Sequence, residues 1–179
     1  IEYTFFHMHN YFKKNTSQEI KLYNKILTLS RNKFFFEKLG LEDTFQNRIN
    51  LIFLHISFLF IKTKQKKNAI AYKQFYQEMF DLIFEKIELN MREIGFGDTT
   101  INKNMKFLVK TFYIILLNCE KYKNKSYKQK NFFFDKHLNI NIKNTINKGL
   151  IDYFDKYHTF CLDLSSDYVL KGELNFINK

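Results

Sequence analysis

The chain is almost free of the residues that interrupt helices. Its 179 residues include no proline and only five glycines. Domains built from many short strands depend on glycine and proline at their tight turns, so such a fold would need more of both. Long stretches instead repeat apolar residues at three- and four-residue steps, as helices with one buried face do. The sequence therefore predicts an all-α fold, a single-domain bundle of about five to seven helices.

Caps and breakers set the predicted boundaries. Ser17 is the expected N-cap of the first helix, and Asp43 with Gln46 three residues later is a capping-box-like start for the third. The predicted helices are 17–31, 33–39, 43–64, 68–94 and 98–121, followed by a fifth region over 130–160 and an irregular tail from Leu162. Residues 1–16 are expected to be an N-terminal extension, with Met8 a candidate start, and 17–179 to be the helical domain.

The most apolar segment spans 49–61. It is 13 residues long and includes Asn50, His55 and Ser57. A membrane span needs about 20 predominantly apolar residues, so this run is too short and too polar to be one. The segment predicts a central buried helix. A re-entrant helix or one resting on a membrane surface is the alternative.

A glycine corner at 91–107 separates two of these helices. Gly95 is the expected C′ glycine of the first, and Asp98 or Thr99 the expected cap of the second. A simple turn needs one glycine and one cap, yet several further charges crowd this one, so the corner suggests a constrained surface. These charges are Arg92, Glu93, Asp98, Lys103 and Lys106.

The positive charge is concentrated in two segments. The net charge is +11, while 62–73 and 121–148 together carry +12, so the remainder sums to −1. These segments could meet RNA, an anionic membrane or an acidic partner, or form solvated loops. The expected electrostatic surface consists of Lys62, Lys64, Lys66, Lys67, Lys121, Lys123, Lys125, Lys128 and Lys130. Arginine, the preferred side chain for base recognition, occurs only three times, so no specific DNA binding is expected.

No motif predicts catalysis, a metal or a cofactor. Gly95-Phe-Gly-Asp98 lacks the third glycine of a dinucleotide site. Asp152, Asp155 and His158 share a three-residue spacing, but a metal site would need further ligands. His55 in the apolar segment is more typical of a hydrogen-bonded core histidine than of a general base. Cys119 and Cys161 are expected to be buried free thiols.

Several motifs, in their order and spacing, resemble the ubiquinol-cytochrome c chaperone family. Its members share an Asp-Thr-Phe segment, a Leu-His helix, an Arg-Glu-x-Gly-x-Gly-Asp corner, a helix ending in Phe-Tyr and a Gly-x-Leu-x-Phe tail. The matching segments are Gly40-Leu-Glu-Asp-Thr-Phe-Gln-Asn-Arg48, Leu51-Ile-Phe-Leu-His55, Asn90-Met-Arg-Glu-Ile-Gly-Phe-Gly-Asp98, Asn104-Met-Lys-Phe107 with Phe112-Tyr113, and Leu170-Lys-Gly-Glu-Leu-Asn-Phe176. The resemblance covers roughly 19–176.

The chain departs from the family pattern at two places. The family often has tryptophan near the histidine, where this chain has Ile56 and Phe58. The family also commonly continues Gly-Arg after Phe-Tyr, where this chain has Ile114-Ile115. The missing arginine puts one partner contact in doubt, and not the fold.

The resemblance implies a non-enzymatic assembly factor. Relatives in mitochondria bind newly made cytochrome b, help it enter respiratory complex III, and work with a small helical partner near the ribosomal tunnel exit. The implied partners here are apolar helices of cytochrome b, a small helical co-chaperone, and a ribosome or anionic membrane surface. The expected location is the bacterial cytoplasm at the inner membrane, with the mitochondrial matrix as the alternative.

The residues expected to contact a client or partner surround the corner and the Asp-Thr-Phe segment. Arg92, Glu93 and Asp98 are expected to order the corner, Thr44 and Arg48 to face the same surface, and His55 and Tyr113 to line a cleft. The full candidate set is Asp43, Thr44, Arg48, His55, Arg92, Glu93, Asp98, Lys103, Lys106 and Tyr113. Two alternatives stay open: an RNA- or ribosome-binding protein acting through the lysine-rich segments, and a helical enzyme using His55 with a carboxylate.

Overall fold

The structure is a computed structural model that describes residues 18–64, 69–139 and 147–178. Within these ranges the chain forms seven α-helices and no strand. They are α1 (Gln18–Ser30), α2 (Phe45–Lys64), α3 (Ala69–Ile94), α4 (Asp98–Glu120), α5 (Tyr127–His137), α6 (Asn147–Asp163) and α7 (Ser166–Leu170). A π-helical turn over Phe34–Lys38 and a 3-10 turn over Tyr122–Asn124 lie between them. The predicted all-α single-domain bundle is confirmed.

Helix α2 is the centre of the bundle. Every residue from 49 to 60 is buried, and α1, α3, α4 and α6 all pack on this helix. Phe53 meets the rings of Phe84 and Phe112, while Phe58 meets those of Tyr122 and Phe154. Burying one such side chain contributes about 1.5–3 kcal/mol to the free energy of folding, so the continuous buried run in α2 makes a large contribution to stability. The predicted central buried helix is confirmed. None of the described helices is long and apolar enough to cross a membrane.

The start of α2 corrects a predicted cap. Asp43 does not cap the helix, because the hydroxyl of Thr44 accepts the backbone N–H of Asn47 at 3.2 Å and Asp43 binds Arg48 instead. The Gln46 side chain donates to Asn50, which also excludes the predicted capping box. Thr44 occupies the N-cap position, where a hydroxyl is as suitable as a carboxylate. The carboxylate is thereby left for a stronger, charged partner.

The corner between α3 and α4 is a Schellman motif. Gly95 has φ of 97°, its N–H donates to the carbonyl of Arg92, and the N–H of Phe96 donates to that of Met91, both at 3.0 Å. These two bonds satisfy the last carbonyls of α3, as predicted for a C′ glycine. Gly97 occupies the N-cap position of α4 with no side-chain cap. The predicted cap at Asp98 or Thr99 is therefore wrong, and Asp98 is the first residue of α4.

The C-terminal third is more regular than predicted. The expected 130–160 region is two helices, and α5 begins with a capping box between Ser126 and Gln129. The tail expected from Leu162 to be irregular continues α6 to Asp163 and then forms α7. The capping-box pair Ser126 and Gln129 was the overlooked signal for α5. The predicted Ser17 cap and the predicted start at 68 lie outside the described residues.

The end of the chain packs back on both α1 and α6. Gly172 has φ of 72°, and a Cβ there would lie 2.5 Å from the carbonyl oxygen of Gln18, so only glycine permits this approach to α1. Four residues on, the Phe176 ring contacts those of Tyr153, Tyr157 and Phe160 at 5.1–5.5 Å. Aromatic pairs at these separations are attractive beyond their buried area. The Gly-x-Leu-x-Phe tail thus closes the bundle.

Candidate functional site

A cleft opens where the end of α1, the start of α2 and the end of α3 meet. Its volume is about 200 Å³. The floor is apolar and the rim polar, an arrangement that suits a partly apolar partner. The lining residues are Tyr23, Leu27, Ser30, Arg31, Phe45, Arg48, Ile49, Ile52, Ile87, Asn90, Glu93 and Ile94. We call this the α1–α3 cleft. It unites Arg48 and Glu93 from the predicted set, which are 45 residues apart in sequence.

Arg48 is held in place on the rim of the cleft. Its Nε and one terminal nitrogen donate to the two carboxylate oxygens of Asp43 at 2.6 and 2.8 Å, and its guanidinium lies 5.1 Å from the centre of the Phe36 ring. The bidentate bond holds the pKa of the Asp43 carboxyl below its usual value and raises that of Arg48. A planar guanidinium fixed on two sides presents its remaining donors in a defined direction. Arg48 can therefore orient a polar group on a bound partner.

Arg92 stabilises the corner rather than the cleft. It donates to Asp98 at 2.7 Å across the turn and to Glu88 at 2.8 Å one turn back along α3. These bonds, with Asp98 first, raise its pKa. The predicted ion pairing between Arg92 and Asp98 is confirmed. The second carboxylate that binds Arg92 is that of Glu88, whereas Glu93 lines the cleft. Since the side chain of Arg92 is half exposed, it can still meet a partner beside the cleft.

Cleft residues missed from the sequence are mostly apolar. Ile87, Asn90 and Ile94 follow one side of α3, and Ile94 is 58% exposed immediately before Gly95. The sequence offered one signal, an isoleucine directly before the glycine that ends α3. Tyr23 and Leu27 come from α1, which carries none of the predicted site residues. The sequence could not assign them, because their periodicity is the same as that of ordinary core residues.

His55 and Tyr113 do not share a cleft, so this part of the prediction is wrong. His55 is fully buried, with Nε2 2.8 Å from the Tyr153 hydroxyl and Nδ1 2.6 Å from the Leu51 carbonyl oxygen. Tyr113 is exposed on α4, with its ring 5.9 Å from that of Phe80. The apolar face of α2 extends around the helix, so one side of it meets α6 and the other meets α4. The sequence does not show which side of α2 holds His55.

The hydrogen bonds of His55 define its protonation. A carbonyl oxygen only accepts, so Nδ1 carries the proton, and Nε2 accepts from the hydroxyl of Tyr153. Burial lowers the pKa of His55 to about 4, against which the bond to Leu51 is a smaller, raising effect. The ring is thus neutral at pH 7. Its partners in the described structure are the Leu51 carbonyl, the Tyr153 phenol and the Ser30 hydroxyl. The alternative of an enzyme that uses His55 would require a carboxylate partner.

Two predicted site lysines lie apart from the cleft. Lys103 and Lys106 are exposed on α4, a helix that contributes nothing to the cleft lining. Thr44 lies beside Phe45 at the cleft edge, but its hydroxyl serves α2 as a cap. The structure therefore brings together only part of the predicted set.

The lysine-rich segments are partly used for packing. Lys130 binds Asp155 at 2.7 Å and lies 4.6 Å from the Tyr122 ring centre, while Lys125 donates to Asn118. Lys62 donates to the backbone carbonyl of Leu162. Lys121, Lys123 and Lys128 are exposed. The Lys64 side chain, Lys66 and Lys67 lie outside the described residues, so the predicted electrostatic surface can be followed only in part.

The remaining candidate chemistry is used for structure. Asp155 is paired with Lys130, and His158 packs against the rings of Phe58 and Tyr122. In the part of the chain that the structure describes, no three His, Cys, Asp or Glu side chains are placed to hold a metal ion. Cys119 and Cys161 are buried free thiols, as predicted, and burial raises the pKa of both. A thiol with a raised pKa is a poor nucleophile.

Comparisons with known proteins identify the family and the fold. A family model described as ubiquinol-cytochrome C chaperone matches residues 37–176, which include the corner and most of the cleft. A solved structure, "Crystal structure of the Cbp3 homolog from Brucella abortus", has the same fold, with a TM-score of 0.76 over 90% of this chain and 89% of that one at 20% sequence identity. Curated protein sequences gave no match.

Proposed function

This chain belongs to the ubiquinol-cytochrome C chaperone family, and from that premise we propose that it binds cytochrome b without catalysing a reaction and promotes assembly of ubiquinol-cytochrome c reductase. The α1–α3 cleft is the proposed client site. The observation that carries the proposal is the family match across the segment that forms the corner and two of the three cleft walls.

The chemistry of the cleft supports an apolar helical client. Leu27, Ile49, Ile52 and Ile87 line it, and Ile94 stands exposed at its edge. A helix docking in a groove inserts side chains at i, i+3, i+4 and i+7 spacing. The volume of about 200 Å³ is below the several hundred typical of small-molecule pockets and suits a few such side chains.

The polar rim supports binding of one client orientation over the other. Arg31 and Arg48 lie with α1 and the start of α2, whereas Glu93 lies with α3. A helix has a partial positive N-terminus and a partial negative C-terminus, which opposite charges at the two walls would distinguish. The neutral, hydrogen-bonded state of His55 supports a binding role over catalysis.

The test is capture of cytochrome b from gently solubilised membranes by the tagged chain. Ile94→Gln is expected to reduce capture 10- to 100-fold, because burying one isoleucine is worth about 1.5–3 kcal/mol. Ile70→Gln is the matched control, since Ile70 is 85% exposed on the same helix and does not line the cleft. It should capture cytochrome b as the unmodified chain does.

Four outcomes decide the proposal. Loss with Ile94→Gln alone supports the cleft as the client site. Equal capture by both variants rejects the cleft, and reductase assembled normally in cells lacking the chain rejects the function. Capture of ribosomal RNA alone, released by moderate salt, would support RNA binding through the lysine-rich segments instead.

A further inference from the structure

The outward side of α4 combines lysines with exposed apolar side chains. Phe107, Tyr113 and Leu117 are 45–59% exposed, although each has the size and chemistry of a core residue. Lysines lie between or beside these residues at three- and four-residue steps, so the whole set lies on one side of the helix. We define the α4 outer face as Lys103, Lys106, Phe107, Lys110, Tyr113, Leu117 and Lys121, all exposed.

Positive charge is focused on and beyond this face. Residues 103–128 contain seven lysines and one acid, Glu120, for a net charge of +6 in a chain whose total is +11. Neighbouring α3 carries five acids against three basic residues. The stretch 103–128 is therefore more positive than the helix α3 on which α4 packs.

The pattern of the face selects between a membrane and a protein partner. Lys110 lies between Phe107 and Tyr113 in sequence and on the same exposed side. A protein interface would have to desolvate this lysine, and lysine is depleted from the centres of such interfaces. At a lipid surface its aliphatic stem can lie along the apolar boundary while the ammonium reaches the headgroups. Tyrosine and exposed aliphatic residues favour the same interfacial region.

We propose that the α4 outer face docks the chain on an anionic lipid surface. Lys103, Lys106, Lys110 and Lys121 bind lipid phosphates, and Phe107, Tyr113 and Leu117 enter the headgroup boundary. Each lysine near such a surface contributes binding free energy that salt weakens. The helix lies on the surface and does not enter the hydrocarbon, which agrees with the absence of any spanning helix among the described ones.

Docking by this face leaves the client cleft accessible. No α4 residue lines the α1–α3 cleft. Helix α1 packs on α2 and α3, and α4 packs on the same two helices. The lipid proposal therefore does not depend on which client the cleft binds, and both contacts can exist at once.

Vesicle co-sedimentation of the full chain tests the proposal. The expected result is binding to phosphatidylcholine vesicles with 30 mol % phosphatidylglycerol, on the order of the anionic content that gives such a surface its potential, and little binding to phosphatidylcholine alone. Lys106→Gln combined with Lys110→Gln should weaken binding roughly 30-fold, and Leu117→Gln roughly tenfold. The control is Lys25→Gln with Lys73→Gln, which removes the same charge from exposed positions on α1 and α3.

The possible results separate the two proposals. Equal loss with both lysine pairs would mean that net charge alone drives binding and would overturn the α4 assignment. Failure of the unmodified chain to bind anionic vesicles at low salt would also overturn it, leaving an acidic protein as the partner of the face. Ile94→Gln is expected to bind vesicles normally, so a failure of client capture can be distinguished from a failure of lipid binding.

Discussion

His55 shows how burial decides the role of a titratable residue. Its apolar sequence context favours a core histidine over a general base. In the structure both ring nitrogens have partners, on Leu51 and Tyr153, and Phe35, Phe154 and Tyr157 surround the ring. The hydroxyl of Tyr157 also donates to the His55 carbonyl at 3.2 Å. The residue therefore joins α2 to α6 and is kept neutral by the cost of burying its charge.

This burial predicts a pH-dependent stability. The unfolded chain takes up a proton on His55 near pH 6.5, while the folded chain does so only near pH 4. The stabilisation is therefore complete above pH 6.5 and is lost as the pH falls through that window towards 4, by about 3 kcal/mol for this residue. Urea unfolding at pH 7 and pH 5 should show a steep decrease, and His55→Gln should have a shallower one.

A second buried histidine contributes to that decrease. Burial lowers the pKa of His137 to about 4 as well. By the same linkage His137→Gln should also make the decrease shallower, and replacing both histidines should remove most of it. If His55→Gln keeps the wild-type slope between pH 7 and 5, the assignment to His55 is wrong.

The ion pairs of Arg48 and Arg92 show how far the partners of a charged residue can be predicted from the sequence. Charges within a few residues of a turn were expected to pair, and Arg92 does bind Asp98. Asp43 was read as a cap because aspartate favours that position. In the structure Thr44 is the N-cap, and the carboxylate of the adjacent Asp43 binds Arg48.

Element boundaries depend on backbone conformations that few residues tolerate. Gly95 needs a positive φ to close the Schellman motif, whereas Gly97 has φ of −74° at the N-cap. Neither has an atom within 4 Å of the position of an added Cβ. The two glycines thus differ in conformation alone, which makes them a matched pair.

Alanine substitution should separate these two glycines. Gly95→Ala is expected to lower the free energy of unfolding by about 1–2 kcal/mol, the penalty for a side chain in the left-handed region. Gly97→Ala should lower it by less, about 0.5 kcal/mol, because its backbone is already extended and only the poor N-cap preference of alanine remains. Thermal unfolding followed by circular dichroism measures both. Equal effects of the two substitutions would show that the corner does not depend on the conformation of Gly95.

Helices were predicted well because their signals are local. The apolar spacing of 68–94 and the following glycine predict the end of α3 at Ile94, and a spacing of the same kind predicts α4 (Asp98–Glu120). Errors concentrated in the predicted 130–160 region and the tail. The capping box that starts α5 is a local signal that was overlooked, whereas α7 has only five residues and a correspondingly weak pattern.

At the scale of the whole molecule, two asparagines connect distant segments. The Asn47 side chain donates to the carbonyls of Glu42 and Asn139 at 2.8 Å and accepts the N–H of Asn139 at 2.8 Å. Asn50 donates to the carbonyl of His137. Both are buried in α2, and they fix the end of α5 against its first turns. No sequence pattern marks Asn47 for this role.

Removing this connection should destabilise the whole fold. Asn47→Ala is expected to lower the free energy of unfolding by about 1–3 kcal/mol, because it removes three hydrogen bonds that the buried Asn47 side chain makes to the backbone of Glu42 and Asn139. Asn102→Ala is the control, since Asn102 is exposed on α4 and should change stability by less than about 0.5 kcal/mol. Urea unfolding at pH 7 compares them. A loss at Asn47 no larger than that at Asn102 would show that the end of α5 is held by other contacts.

The sequence by itself determined the helical class, the position of α2 in the core, the glycine corner and the family resemblance, because periodicity, chain breakers and short motifs are local properties. Only the tertiary structure decided which helices form the α1–α3 cleft, which side of α2 holds His55, and where the C-terminal segment packs. Those outcomes depend on contacts such as Arg48 with Phe36 or Gly172 with Gln18, whose partners are set by how the helices pack. An apolar stripe states that a face is buried, but not against which neighbour.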